Sequence, residues 1–152
     1  CIGAVEYLQW VGQEFGAEFR SAAPAGCTER TADLHSAMRA MAAYEESLSE
    51  RLITGLRAID GVEIRGITNL ERLAHRVPTV SFTRPGMDNT AVARHLADHN
   101  VYVWSGHNYA LPVVDALGIR EQGVVRVGPT HYNTLDEVDT LLALVADVAA
   151  AH

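Results

Sequence analysis

The sequence predicts an α/β fold of the α+β type: a small domain whose sheet of about four strands, mostly antiparallel, is covered by helices on one face. Short segments of alternating apolar and polar residues are interleaved with longer segments whose apolar residues recur at helical spacing. The last strand-like segment is followed by Pro129 and a helix-capping pattern, as expected for a strand that leads into a covering helix. This alternation favours a small sheet packed against helices.

Apolar residues at three- and four-residue steps predict the helices. The longest is expected over residues 31–59, and its apolar stripe comprises Leu34, Met38, Met41, Leu48, Leu52, Leu56 and Ile59. Shorter helices are expected over residues 1–15, 69–75, 88–99 and 112–117, with a loop over residues 16–28. The first of them has Ile2, Val5, Leu8 and Val11 on its apolar side. Asp88 is placed to cap one of them. Thr134 and Glu137 form a capping-box pattern, and the closing helix is expected to turn inward Leu135, Val138, Leu142, Val145 and Ala149.

Strands are expected over residues 62–67, 77–83, 101–104 and 124–127. Successive side chains of a strand point to opposite faces, so Val125 and Val127 share one face of the last strand, and Val124, Arg126 and Gly128 share the other. If helices cover the valine face, Arg126 lies on the open face. One interpretation is an exposed arginine on the free side of a sheet. The other is a guanidinium fork that binds a carboxylate through two parallel hydrogen bonds.

Composition limits the classes of function. The 152 residues suit one ordinary domain, and the net charge of −7 argues against nucleic acid and anionic membrane surfaces as partners. No apolar run approaches the roughly 20 residues that span a bilayer. Cys1 and Cys27 form no disulfide framework, and without a secretion signal they predict a reducing, cytoplasmic location. Because the chain begins with Cys1 and not methionine, we expect its natural N-terminus to lie upstream, and the alternative is a retained cleavage product.

His95 and His99 lie four residues apart, a spacing that suits a metal ion on a helix face. The sequence offers no third ligand beside them. We therefore interpret the pair as part of a solvated helix face and predict no metal site.

Arg126 begins a run of residues with a recognisable pattern. It is followed by Gly128, Tyr132, Asn133, Thr134, Glu137 and Asp139. This run resembles the C-terminal signature of class V aminotransferases, the fold-type I pyridoxal-phosphate enzymes that include cysteine desulfurases, and the order of elements is similar over about residues 30–152. The resemblance implies that Arg126 binds the α-carboxylate of an amino-acid substrate.

The loop after the third expected strand is the second point of resemblance. It comprises Trp104, Ser105, Gly106, His107, Asn108 and Tyr109, followed by Ala110 and Pro112. In the desulfurase and selenocysteine-lyase branch the similar loop reads Arg-Thr-Gly-His-His-Cys-Ala-x-Pro, which implies that residues 104–109 form an active-site loop. Tyr109 stands at the cysteine position and Trp104 at the arginine position. A thiolate takes sulfur from the substrate of a desulfurase, whereas a phenol with a pKa of about 10 does not.

The resemblance also implies the organisation of a longer enzyme. Residues 1–30 would be the tail of a large, cofactor-binding domain with a connecting loop, and residues 31–152 the C-terminal small domain with the interdomain helix. The large domain would supply the Schiff-base lysine, because this chain contains no lysine and is expected to be inactive alone. A homodimer is implied, and lyase, aminotransferase and epimerase reactions stay open. The alternatives are a stand-alone module that binds a small molecule or a protein, and a non-catalytic homologue.

Overall fold

The structure, a computed structural model, describes residues 2–150 of the chain. Its elements are, in order, α1 (Ile2–Phe15), a 3₁₀ helix (Ala17–Ala22), α2 (Glu29–Ala58), β1 (Glu63–Arg65), a second 3₁₀ helix (Leu70–His75), β2 (Val80–Thr83), α3 (Asn89–Asp98), β3 (Trp104–Gly106), α4 (Leu111–Ala116), β4 (Val124–Val127) and α5 (Leu135–Ala150). They form two compact units, of which the first ends at Glu46 and the second begins at Ser47, within α2. The domain boundary expected at residue 30 concerns a longer enzyme and stays a prediction.

The first unit is held together around a buried carboxylate. Asp33 accepts hydrogen bonds from the side chains of Gln9, Gln13 and Arg20. The Arg20 guanidinium and, after it, the Gln13 amide hold the pKa of the Asp33 carboxyl below its ordinary value, because both stabilise the charged form. A Cβ atom at Gly12 would lie only 1.9 Å from the Asp33 carbonyl oxygen, so only glycine allows α1 to approach α2 this closely.

The second unit contains a four-stranded sheet in the order β1-β2-β4-β3, and all three strand pairs are antiparallel. Ile64 pairs with Phe82, Phe82 with Val125, and Val125 with Ser105. These residues share one face, because side chains alternate along each strand. Helices α2, α3 and α5 cover that face with a single core, which includes Leu48, Leu52, Leu56, Val92, Leu96, Val138, Leu141 and Val145. The predicted fold class is confirmed.

The opposite face of the sheet is covered only at one end. Val114 of α4 and Ile119 form a small buried cluster with Val124, which points away from the main core. The rest of this face carries polar side chains and the exposed ring of Trp104. We refer below to the covered face and to the open face of the sheet.

Several element bounds differ from the sequence-based expectations. The third strand was expected at residues 101–104, but pairing begins at Trp104, because Val101 and Val103 pack on the core without entering the ladder. The second strand begins at Val80 and not at residue 77, and residues 17–22 of the expected loop form a 3₁₀ helix.

Three predicted core positions need correction as well. Met38 is exposed, and the neighbouring Ala37 packs in its place in the first unit. Leu135 is exposed in the first turn of α5, where Leu141 provides the expected packing further along the helix. Ile2 is exposed at the start of α1. In each case the apolar residue lies at the margin of the stripe that its helix buries.

Candidate functional site

The open face of the sheet forms the floor of a cavity of about 570 Å³. Its floor includes Arg65, Ser81 and Arg126, and its rim includes His107 and Asn108. Val113 of α4 and Leu117, which follows that helix, line its apolar side. A concave site with an apolar wall and a few polar groups is typical of small-molecule binding, and the volume lies within the roughly 300–1,000 Å³ of ordinary ligand pockets.

Strand register places four side chains in one row across the open face. Arg65 of β1 pairs with Ser81 of β2, Ser81 pairs with Arg126 of β4, and Arg126 pairs with Trp104 of β3. Paired residues of neighbouring strands point to the same face. The row therefore presents a cation, a hydroxyl, a second cation and an aromatic ring in that order.

Arg126 is half-buried, and its two neighbours in β4 fix its position. Val125 is fully buried and Val127 nearly so, both on the covered face. The Arg126 guanidinium makes no hydrogen bond or ion pair with any other of the residues 2–150. Other arginines are engaged: Arg51 pairs with Asp139, and Arg120 with Asp115. Arg126 thus offers a fork with its donors available to a carboxylate from outside the chain.

Arg65 is held differently from Arg126. Its Nε and Nη2 atoms donate to the Thr83 hydroxyl, at 3.2 and 2.9 Å, and Nη2 also donates to the Glu63 carboxylate at 2.5 Å. Its Nη1 atom has no partner among residues 2–150. Sequence reasoning did not single out Arg65 or Ser81. Their outward positions in alternating segments were the available signal, but their proximity to Arg126 depends on the strand order.

The loop after β3 has an unusual backbone. Asn108 and Tyr109 adopt left-handed conformations with φ of 49° and 58°, and Gly106 has φ of 109°. Non-glycine residues rarely adopt this region, and they persist there only where surrounding bonds hold them. Two bonds do so here: Asn108 Nδ2 donates to the Gly106 carbonyl oxygen at 3.0 Å, and the Tyr109 backbone N–H donates to His107 Nδ1 at 3.1 Å.

The second of these bonds orients the imidazole of His107. Because Nδ1 accepts a hydrogen bond, the neutral ring carries its proton on Nε2. The Tyr109 ring lies edge-on to His107, with 6.0 Å between the ring centroids. His107 and Asn108 line the cavity, whereas the Tyr109 side chain is 94% exposed and does not line it.

The remaining residues of the predicted active-site loop occupy different faces. Trp104 is 69% exposed on the open face beside Arg126. Ser105 pairs with Val125 and so belongs to the covered face. Gly106 approaches the start of β4 so closely that a Cβ atom at Gly123 would lie 2.2 Å from its carbonyl carbon. Arg126, Trp104, His107 and Asn108 are therefore brought together, and Ser105 and Tyr109 are not.

The segment after β4 acts as a helix cap. The Thr130 backbone N–H donates to Asn133 Oδ1, and Thr134 and Glu137 donate to each other's side chains from their backbone N–H groups, at 2.8 and 3.2 Å. The predicted capping box is confirmed. The backbone N–H of Thr134 and the Asn133 amide lower the pKa of the Glu137 carboxyl below its ordinary value. This cap fixes where the chain leaves β4, immediately after Arg126.

Other candidates lie outside the cavity. The rings of His95 and His99 are 4.7 Å apart, and no cluster of three or more His, Cys, Asp or Glu side chains suited to a metal ion occurs in residues 2–150. Cys27 is a half-buried free thiol in the first unit, and Cys1 lies outside the described residues. Across the described part of the chain, every helix is too short or too polar to span a bilayer.

Comparison with known families adds an independent observation. Residues 22–141 match the model of the family described as aminotransferase class-V. The aminotransferase-like protein FGM3 of Gibberella zeae is 40% identical over 106 residues, which cover 68% of this chain and 26% of that protein. A probable cysteine desulfurase of Pseudomonas putida is 33% identical over 65% of this chain and 22% of its own length.

A solved structure is similar as well. The apo cysteine desulfurase from Thermococcus onnurineus NA1 superposes with a TM-score of 0.67 and 32% identity, covering 82% of this chain and 32% of the other. This chain thus spans about a quarter of the length of the curated relatives that it matches.

Proposed function

Because the chain belongs to the aminotransferase class V family, we propose that it is the C-terminal small domain of a pyridoxal-phosphate-dependent enzyme that acts on an amino acid. In this proposal Arg126 binds the α-carboxylate of the substrate. Residues 104–109 border the site, and the large domain of the same protein completes it. We extend the proposal to a cytoplasmic homodimer, the arrangement that the family resemblance implies.

The observation that carries the proposal is the availability of Arg126. A half-buried guanidinium at the floor of a cavity, without a partner in residues 2–150, has donors that favour an incoming carboxylate. The buried valines on either side hold its backbone in the ladder. A binding group on a rigid strand is placed more accurately than one on a loop.

The residues of this chain fit a supporting role toward the cofactor. No lysine is present to form a Schiff base, so the covalent attachment belongs to the other domain. When bound, pyridoxal phosphate supplies an electron sink for bonds at the substrate α-carbon. This chain would orient the substrate through Arg126 and present the Nε2 proton of His107 at the rim of the cavity.

Tyr109 restricts the reaction. The phenol occupies the position where the similar desulfurase loop carries its cysteine, and a phenol does not form a persulfide. We therefore propose an amino-acid transformation without sulfur transfer. Incubation of the full-length protein with cysteine should release no persulfide sulfur, and robust release would exclude this part of the proposal.

The central test is Arg126→Gln in the full-length protein with its cofactor. Loss of a charge-assisted carboxylate pair should weaken amino-acid binding by about 10- to 100-fold, measured as the apparent Kd from the absorbance change of the cofactor. Arg94→Gln is the matched control, because Arg94 is exposed on α3 and does not line the cavity. Equal binding by both variants would exclude Arg126 from the site. A protein that never develops the cofactor's absorbance band would instead support a non-catalytic homologue.

A further inference from the structure

We propose that the substrate carries a second carboxylate in its side chain, and that Arg65 binds this group while Arg126 binds the α-carboxylate. The inference rests on the proposed function, and it names the substrate class as acidic amino acids. The row Arg65–Ser81–Arg126 places the two arginines on the floor of one cavity.

The spacing of the two arginines suits a dicarboxylic substrate. Two steps between neighbouring strands separate them, so their Cα atoms lie about 10 Å apart. Both side chains line the same cavity, and each extends several ångströms beyond its Cα atom. The two forks therefore reach carboxylates that are closer together than the Cα atoms, as in an aspartate- or glutamate-like molecule. The Ser81 hydroxyl lies between them as a further hydrogen-bonding group.

The charge of the cavity lining also favours a ligand with two carboxylates. Although the whole chain has a net charge of −7, the residues that line this cavity include two arginines and neither aspartate nor glutamate. A neutral amino acid would leave the second guanidinium facing an apolar substrate side chain. Arg65 already pairs with Glu63 through Nη2, so a neutral side chain would bury its free Nη1 donor without a partner. Burying an unpaired donor is unfavourable, so this lining favours a ligand with two anionic groups.

The bonds of Arg65 orient it without saturating it. Thr83 and Glu63 engage Nε and Nη2, which leaves Nη1 available. Because the fork is already ordered, a carboxylate that reaches Nη1 loses little conformational entropy from the protein. Glu63 is half-exposed and does not line the cavity. It competes with the ligand for Arg65, and its removal should strengthen binding.

The apolar wall accommodates the rest of such a substrate. Val113 and Leu117 line the same cavity as the two arginines. They would contact the methylene groups that join the two carboxylates. An acidic amino acid would thus place its methylene groups against apolar side chains and each of its carboxylates against an arginine.

The test uses two arms on the full-length protein. In the first, spectral titration of the cofactor-loaded protein compares glutamate and aspartate with glutamine and asparagine, which keep the shape and lose the second charge. At least one acid should bind about tenfold more tightly than its amide. In the second, calorimetric titration of the cofactor-free protein compares glutarate with butyrate, which separates binding by the two arginines from any reaction.

Two substitutions sharpen both arms. Arg65→Gln should remove the preference for the second charge, so that acid and amide, and likewise glutarate and butyrate, bind with similar affinity. Glu63→Gln should strengthen glutarate binding by about twofold or more, a change that misfolding does not imitate. Arg57→Gln is the matched control, because Arg57 also donates to a threonine hydroxyl, that of Thr68, and does not line the cavity.

The outcomes separate the two proposals. Acid and amide bound equally, or Arg65→Gln weakening both equally, would overturn the second-carboxylate inference while leaving amino-acid binding intact. Absence of any response to amino acids, with glutarate still preferred through Arg65, would overturn the proposed function but support the paired-arginine site. A protein that responds neither to amino acids nor to glutarate would overturn both proposals.

Discussion

The two faces of the sheet in the second unit consist of the same strands and have opposite properties. On the covered face Val80 and Val125 are fully buried and Phe82 is 2% exposed. On the open face Arg65, Ser81 and Arg126 are only half-buried, although Ser81 and Arg126 alternate with those residues in sequence. Apolar burial on one face stabilises the strands, and the other face is thereby free to carry charged groups. Because burial of one face holds the backbone of the strand in place, the side chains on the opposite face project from fixed positions.

The largest effect should come from breaking the covered face. Phe82→Ala removes a buried ring that belongs to the same core as residues of α2, α3 and α5, and such truncations cost about 3–5 kcal/mol. Urea denaturation of residues 1–152 in a Trp10→Phe background would measure this, because Trp104 is then the only tryptophan of these residues and reports on the second unit. Ser81→Ala, the adjacent open-face position, should change the free energy of unfolding by less than about 0.5 kcal/mol. Similar losses at both positions would remove the distinction between the faces.

The second effect concerns the junction between β4 and the loop that borders the cavity. Gly123 has φ of 63°, and a Cβ atom there would collide with the backbone of Gly106. Gly123→Ala should therefore destabilise the unit by about 2–4 kcal/mol, with part of the cost from backbone conformation and part from displacement of β3.

Gly118→Ala separates these two parts. Gly118 has a similar φ of 69°, and a Cβ atom there would meet no heavy atom within 4 Å. It should cost only the conformational share, about 1–2 kcal/mol. NMR shifts of the His107 ring should move in the Gly123 variant and stay unchanged in the Gly118 variant. Equal effects would show that the close approach of Gly106 and Gly123 does not position the loop.

The third effect is at the cap that follows Arg126. Thr134→Ala removes the hydroxyl that accepts from the Glu137 N–H, and loss of such a cap costs about 1 kcal/mol. The pKa of Glu137 is lowered in the folded protein, so its contribution to stability is complete above its ordinary pKa in the unfolded chain and is lost as pH falls through the lower folded value. The stability difference between the wild type and Glu137→Gln should therefore be present at neutral pH and shrink in acid. A difference that is independent of pH would exclude the ionised carboxylate as the capping group.

The covered face was largely predictable from sequence and the open-face site was not. Alternating valines and Pro129 fix β4 over residues 124–127 by local rules, and the capping box of α5 is equally local. The predicted position of β3 was wrong, because Val101 and Val103 pack on the core without pairing with another strand. An apolar sequence pattern indicates burial and does not indicate hydrogen bonding. The row from Arg65 to Arg126 depends on β2 lying between β1 and β4, a long-range pairing that no local pattern encodes.

The smallest effect on stability should come from Arg126 itself. Its guanidinium has no partner in residues 2–150, so Arg126→Gln leaves no buried group without its hydrogen bond. Only part of the packing of its aliphatic stem is lost, and the free energy of unfolding should stay within about 0.5 kcal/mol of the wild type. A structural arginine would behave in the opposite way, because its removal strands a carboxylate or a carbonyl. Denaturation of this variant, set beside its amino-acid affinity, therefore tests the contrast between the faces at a single residue. A loss of stability as large as that of the cap variant would assign Arg126 to the fold, and unchanged stability with weakened binding would assign it to the ligand.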